Sequence, residues 1–279
     1  MFRIDAHHLF LNPDLEDYDW IASDDTILRR SYGPEDVAPH ISAHGICGTI
    51  LVQGAPSVAE TERLLELADT VENIRGVVGW VDFENPADRT TLRRLALHPK
   101  FKGVRPMIQN IPDEHWMLRR DVQWGFEVVT ELGLTFDALG TPRHLDAFLI
   151  LLKRHPGLRT VIDHCMKPQI RHHGPENFRF WADGITQMAA ETDACLKFSG
   201  LANEADPDWT VADLQPYADH MLRAFGADRI MWGSDWPVCR QRCEYGDWLS
   251  VAEELTSRLT EAERARVFGG TAIAFYGLD

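Results

Sequence analysis

Eight short apolar, β-rich runs alternate along this chain with stretches of helical periodicity, and no other feature restricts its fold so tightly. The runs are Arg3–His7, Gly48–Gln53, Gly76–Asp82, Gly103–Ile108, Leu134–Ala138, Thr160–His164, Leu196–Gly200 and Ile230–Asp235. Strands separated by helices pair in parallel through right-handed crossovers, because a right-twisted strand feeding a helix packs back onto the sheet only with that hand. Eight such units in 279 residues predict an α/β fold, a (β/α)8 TIM barrel, occupying 1–279 as one domain; this architecture typically takes about 250 residues. An open doubly wound sheet would also satisfy the alternation. No Gly-x-Gly-x-x-Gly or phosphate loop follows any run, which disfavours that sheet, and no Gly-x-Ser-x-Gly elbow supports an α/β-hydrolase.

The helical stretches carry their own punctuation. Ser57-Val-Ala-Glu60 reads as a capping box ahead of Leu64, Leu65, Ala68 and Val71, which share one face. Thr141-Pro142 supplies an N-cap and first-turn proline for a helix through Leu145, Phe148, Leu149 and Leu152. Leu214, Tyr217, Ala218, Met221, Leu222 and Phe225 keep helical spacing until Gly226, and Thr260–Glu263 is a second capping box before a short helix ending at Gly269. Pro112–Arg120 and Gln169–Pro175, the latter with His172 and His173, read as loops over the barrel mouth.

With 43 acidic against 28 basic residues the formal charge is −15, so nucleic acid and anionic membranes would be repelled at long range and a small uncharged substrate is the easier partner. No stretch approaches the length of a membrane span, and no export signal opens the chain. Five cysteines without a Cys-x-x-Cys pair fit reduced thiols in a cytoplasm; Cys239 and Cys243 could share a metal, but so isolated a spacing argues for thiols.

The carboxyl ends of the runs carry costly groups: His7, Gln53, Trp80 with Asp82, Arg105 with Gln109, Asp137, His164 with Lys167, Lys197, and Asp235 with Trp236. Each alone has a plain structural explanation, since a histidine beside an apolar run is usually a satisfied core residue and a strand-end lysine is usually solvated. In a barrel, however, all these ends converge on one mouth. Around Asp235, Ile230, Met231 and Trp232 suit a buried strand, Gly233 admits close approach of a backbone or ligand, and Pro237 stops the ladder.

Ile4-Asp-Ala-His7, Asp19-Trp20, Val52-Gln53, Val77–Asp82, Lys102–Arg105, Asp163-His-Cys-Met-Lys-Pro168, Lys197–Leu201, Trp232–Cys239, Gly269–Ala272 and Phe275–Leu278 together resemble the sugar-lactone lactonase (L-fuconolactonase-like) family of the amidohydrolase superfamily. The resemblance implies a (β/α)8 barrel hydrolysing the internal ester of a sugar acid, with Asp235 as general base and His7 and His164 lining the site. Arg105, Lys167, Trp80, Gln109, Asp137 and Trp236 are then expected to bind substrate, and Lys197 to hold a hydroxyl or the new carboxylate. One departure matters. The superfamily's first strand reads His-x-His, whereas this chain has His7-His8-Leu9, and positions 7 and 9 of a strand share a face, so Leu9 stands where a metal ligand would. Arg105, always protonated, stands where a bridging ligand would. No cofactor is therefore expected to be required, and His7, His164 and Asp235 offer at most one loose zinc site. Two other readings share these residues: a metal-dependent decarboxylase of the same superfamily, and an inactive barrel that binds a sugar acid. Lactone identity, ring size, stereochemistry and oligomeric state depend on distances that a sequence does not carry.

Overall fold

In the computed structural model, which describes residues 2–278, all eight runs form strands. They are β1 (Arg3–His8), β2 (Ile46–Val52), β3 (Ile74–Gly79), β4 (Phe101–Val104), β5 (Thr135–Ala138), β6 (Arg159–Ile162), β7 (Cys195–Phe198) and β8 (Ile230–Trp232). Neighbours in sequence are neighbours in one parallel sheet, from β1 through to β8. A parallel bridge between His8 and Trp236 brings the two ends of the sheet together. There Asp235 N–H donates to the His7 carbonyl at 2.8 Å and Leu9 N–H to the Trp236 carbonyl at 2.7 Å. Gly233 is needed at this seam, because a Cβ would sit 2.8 Å from that of His7. Among the described residues no helix is long and apolar enough to cross a membrane.

Inside the barrel Ile4, Ala6, Ile50, Val52, Val78, Val161 and Met231 pack together, while Leu51, Val77, Val104 and Phe136 face the helices. This is the period-two alternation of strands covered on both faces. β1 breaks it to functional effect. It advances three residues, from Asp5 to His8, while β2 advances two, from Thr49 to Leu51. The extra residue is a bulge, which lets Ala6 pack in the interior while His7 turns toward Lys197 and Asp163 beneath the mouth.

Several strands stop earlier than the apolar runs suggest. β4 ends before Arg105-Pro106, where the proline has no N–H to give the ladder; β6 ends before a left-handed turn at His164, and β8 before Asp235. His164 and Asp235 thus sit on loops just beyond their strands. Ser57 caps its helix by accepting from Glu60 N–H at 3.1 Å, but the Glu60 carboxylate turns instead to the N–H groups of Gly54 and Ala55 and to the Tyr18 hydroxyl. The helix begun at Glu261 does not end at Gly269. It continues through a π turn, Arg266–Gly270, to Tyr276, and Gly269 is there because a Cβ would lie 2.1 Å from the Phe2 carbonyl oxygen.

Candidate active site

Below the mouth lies a group of charges with no exposure. Lys197 on β7 is fully buried, and its ammonium reaches Asp137 of β5 at 2.5 Å, Asp163 at the end of β6 at 3.0 Å and His7 Nδ1 at 3.0 Å. The Tyr276 hydroxyl donates to Asp137 at 3.0 Å. A lone buried ammonium costs several kcal/mol; here it donates to Asp137 and to the His7 ring lone pair and forms an ion pair with Asp163. Because His7 Nδ1 accepts from Lys197, the neutral ring carries its proton on Nε2. Burial, then the Lys197 charge, push the His7 pKa down to about 3, so the ring is neutral near neutrality. Burial would raise the Asp163 carboxyl, but Lys197 and His7 outweigh it and hold the group well below the usual carboxylate range.

Arg105, just past β4, is 3% exposed. Its Nη1 lies 3.5 Å from Asp163 Oδ2, and its Nη2 donates to the carbonyl and, at 3.3 Å, to the Oε1 of Gln53; Gln53 Nε2 donates back to the Arg105 carbonyl at 2.7 Å. Asp163 is therefore its ionic partner. Nη1 is also 3.4 Å from His7 Nε2, but two N–H donors do not bond, and the His7 proton points instead toward Asp235.

Asp235 and His164 stand on strained backbone. His164, Cys165, Met166 and Lys167 form a run of positive φ (51°, 52°, 59° and 47°), and Asp235 adopts 55°. Left-handed backbone costs an L-residue about 1–2 kcal/mol, and such strain collects where a side chain must be aimed. The Asp235 carboxylate ends between two imidazoles, Oδ1 3.8 Å from His7 Nε2 and Oδ2 3.8 Å from His164 Nδ1. Both gaps exceed a hydrogen bond. Burial pushes the Asp235 carboxyl up to about 7, against the pull of Lys167 and Arg105. Burial and the adjacent His7 hold His164 neutral, its pKa well below the usual value, and its Nδ1 shares a 2.8 Å hydrogen bond with the Ser199 hydroxyl.

These groups open into a cavity of about 230 Å³ that brings together Arg105, Gln109, His164, Lys167 and Asp235, with Leu9 in its wall. Asn203, Glu204 and Gln241 line it too. Strand-end reasoning missed them because they lie on short helical turns after β7 and β8; Asn203 and Glu204 follow the Lys197–Leu201 run directly, which was the available signal. Three buried polar atoms here have no protein partner: Arg105 Nε, Gln109 Oε1 and Asn203 Oδ1. Orphans of this kind are rare in folded proteins and mark places where a ligand completes the bonding.

Other expected substrate contacts lie elsewhere. Asp137 and Lys197 are sealed in the bed by their mutual ion pair. Trp236 is 1% exposed and meets Phe10 and Tyr32 edge-on outside the cavity. Trp80 lines an adjoining cavity with Trp20 and Asp82. His173 bonds the Tyr217 hydroxyl at 2.9 Å, and neither it nor His172 reaches the site. Cys239 and Cys243 are joined by a backbone hydrogen bond of 2.9 Å.

Ligand atoms of His7, Asp163 and His164 lie within 4.8 Å of one another, the one cluster among the described residues able to hold a metal ion. It contains Asp163 where the sequence suggested Asp235. A dication fits it poorly. His7 Nδ1 and Asp163 Oδ1 are each 3.0 Å from the Lys197 ammonium, and Arg105 is 3.5 Å from Asp163 Oδ2, so two cations already occupy the field that a metal would need.

Residues 4–278 match the amidohydrolase family. A curated L-fucono-1,5-lactonase of Burkholderia ambifaria is 38% identical over 282 residues, covering 100% of this chain and 96% of the relative. A second, from Burkholderia multivorans, is 32% identical and covers 99% of this chain and 96% of its own. The crystal structure of an amidohydrolase from Burkholderia multivorans with bound zinc shares 32% identity and a TM-score of 0.93 over 100% of both chains.

Proposed function

The chain belongs to the amidohydrolase family, and from that premise we propose that it hydrolyses a sugar-acid 1,5-lactone to the free hydroxy acid. The observation that carries this reading is Asp235: a carboxyl pushed up to about 7 by burial, facing a small cavity, with no imidazole within hydrogen-bonding distance of its oxygens. Such a group takes a proton readily near neutral pH and gives it back as readily, and both halves of ester hydrolysis need that.

As water attacks the lactone carbonyl, Asp235 accepts one of its protons and a bond forms between the water oxygen and the carbonyl carbon. The Ser199 hydroxyl, donating to His164 Nδ1, places the His164 proton on Nε2, and that N–H with the unpartnered Nε–H of Arg105 meets the developing oxyanion. One well-aimed donor of this kind is worth roughly 2.7–4 kcal/mol. The ring C–O bond then breaks, the departing alkoxide takes the proton from Asp235, and the new carboxylic acid ionises to solvent. Lys167, whose charge already acts on Asp235, neutralises the product carboxylate. Gln109 Oε1 and Asn203 Oδ1 accept substrate hydroxyls.

No step in this scheme passes through a metal: Arg105 and Lys167, which line the cavity, supply positive charge to the substrate, and Lys197 and Arg105 already occupy the field around the His7, Asp163 and His164 cluster. The same occupancy counts against a metal-dependent decarboxylase. The acid-rich surface and free cysteines fit a cytoplasmic enzyme acting on a small uncharged molecule, without nucleic acid or membrane as partner. Incubation with a panel of hexono-1,5- and 1,4-lactones, followed by acid release, tests the reading. We expect turnover of at least one 1,5-lactone; acid release at the uncatalysed rate for every lactone would overturn it.

A further inference from the structure

Beside the catalytic cavity lies a larger one, about 680 Å³ against about 230 Å³, and the two meet at Trp20, Met107, Gln109 and Asn110. Nothing in the hydrolytic scheme uses the larger space. It is built where β3 ends: Trp80 and Asp82 come from the segment after that strand, and Trp20 and Trp116 from the loops above it. The indoles are fixed in orientation. Trp20 Nε1 donates to the Gly54 carbonyl at 2.8 Å, and Trp116 Nε1 to Glu84 Oε1 at 3.1 Å. Trp20 and Trp80 are only half buried, so aromatic surface faces the space. The charged groups of the wall are acidic, Asp19, Asp82 and Glu84, the last paired with Arg119 at 2.6 Å, and the amides of Gln109 and Asn110 complete its polar surface.

Flat apolar faces held rigidly beside hydrogen-bond acceptors suit a pyranose, whose C–H face lies on an indole while its hydroxyls donate to carboxylates. Asp19 and Asp82, which have no ion-pair partner among the described residues, repel an anionic ring. At the junction, Gln109 Oε1 is buried without a partner, where a hydroxyl of a molecule spanning both cavities would reach it.

We propose that this annex is a subsite for a second, uncharged sugar ring attached to the lactone ring, so that the enzyme hydrolyses lactones of disaccharide aldonic acids. The inference rests on the lactonase reading. The chemistry is unchanged: water adds to the carbonyl carbon, the ring C–O bond breaks, its oxygen is protonated, and the glycosidic bond is untouched.

The test measures kcat/KM of the full chain on a hexono-1,5-lactone, the same lactone bearing a neutral glycosyl group, and one bearing a uronosyl group. The neutral glycosyl lactone should be favoured about tenfold or more, through KM, which corresponds to one good aromatic contact with its hydrogen bonds. The uronosyl lactone should show no such advantage. Ile111, half-buried on the annex wall and absent from the lining of the catalytic cavity, provides a steric block: Ile111→Trp should erase the glycosyl preference and leave the simple lactone within about twofold of wild type. Asp82→Asn with Glu84→Gln should narrow the gap between neutral and uronosyl substrates. Equal kcat/KM on simple and glycosyl lactones, or an Ile111→Trp variant that lowers both alike, would overturn the annex while leaving simple lactonase activity in place. Turnover of none of the three would sink both readings together.

Discussion

The bed and the rim of this barrel mouth are made from the same kinds of residue and are organised in opposite ways. In the bed, Lys197, Asp137, Asp163 and His7 are wholly buried and bonded to one another. At the rim, Asp235 and His164 stand on left-handed backbone, Asp235 is raised to about 7 and its nearest imidazoles are out of bonding range. Ion-paired groups fix a geometry, whereas a carboxylate without a close cation is available to a substrate. Burial alone does not separate the two, since Asp235 is only 5% exposed and Lys197 is 0%. What separates them is ion pairing: Lys197 lies between the Asp137 and Asp163 carboxylates, whereas among the described residues no lysine or arginine comes within ion-pairing distance of Asp235.

If that distinction holds, breaking the bed should cost folding and breaking the rim should cost rate. The largest effect is expected for Lys197→Met, which leaves Asp137 buried without a cation and Asp163 with only Arg105. Removing one partner of a buried pair costs about 3–5 kcal/mol, to be read by denaturant unfolding. A loss below about 1 kcal/mol would show that the bed is not held by charge.

Asp235→Asn should do the opposite. Its rate should fall at least ~10²-fold with the fold intact. The folded protein keeps the Asp235 proton up to about pH 7 while the unfolded chain loses it near 3.8. Ionisation therefore costs folding free energy progressively between those values, and in full above pH 7. An asparagine avoids that cost, so the variant should be more stable than wild type at pH 8, by up to about 4 kcal/mol, and show little difference near pH 4. Equal stability at both pH values would mean that the carboxyl is not raised. Arg105 belongs to both regions. Arg105→Lys loses the fork shared by Gln53 and Asp163 as well as the Nε–H, so a drop of roughly tenfold in kcat/KM is expected together with a stability loss of about 1–3 kcal/mol; a rate change without a stability change would assign it to the rim alone. The smallest effect is expected for Leu9→His. Elemental analysis should show more zinc per chain, with no matching gain in rate, and a rate that rises with zinc occupancy would contradict this.

The barrel and the acid at its centre were legible because both rest on local signals. Strand and helix periods announce the eight units, and the break at Gly233 to Pro237 singles out Asp235. Partnership was not legible. Lys197 at a strand end reads as a solvated substrate holder, and only the convergence of β1, β5, β6 and β7 shows it sealed among Asp137, Asp163 and His7. Arg105 could face several acids, and which one it meets depends on strand tilt and on the turn after β6, neither of which has a sequence period. Trp236 follows Asp235 directly but points outward, because positive φ at Asp235 redirects the chain. Asn203 and Glu204 escaped notice because a scan of strand ends stops before the turn that carries them into the cavity.

The central claim is that an uncharged-at-rest pair of imidazoles, two built-in cations and a carboxyl near 7 suffice for hydrolysis. The pH dependence of kcat/KM for the chelator-dialysed protein tests it most directly. The account predicts undiminished activity with a single ascending limb centred near pH 7, as Asp235 loses its proton, and no such limb in the residual activity of Asp235→Asn. Loss of activity on chelation that stoichiometric zinc restores, or a limb that persists unchanged in Asp235→Asn, would contradict it.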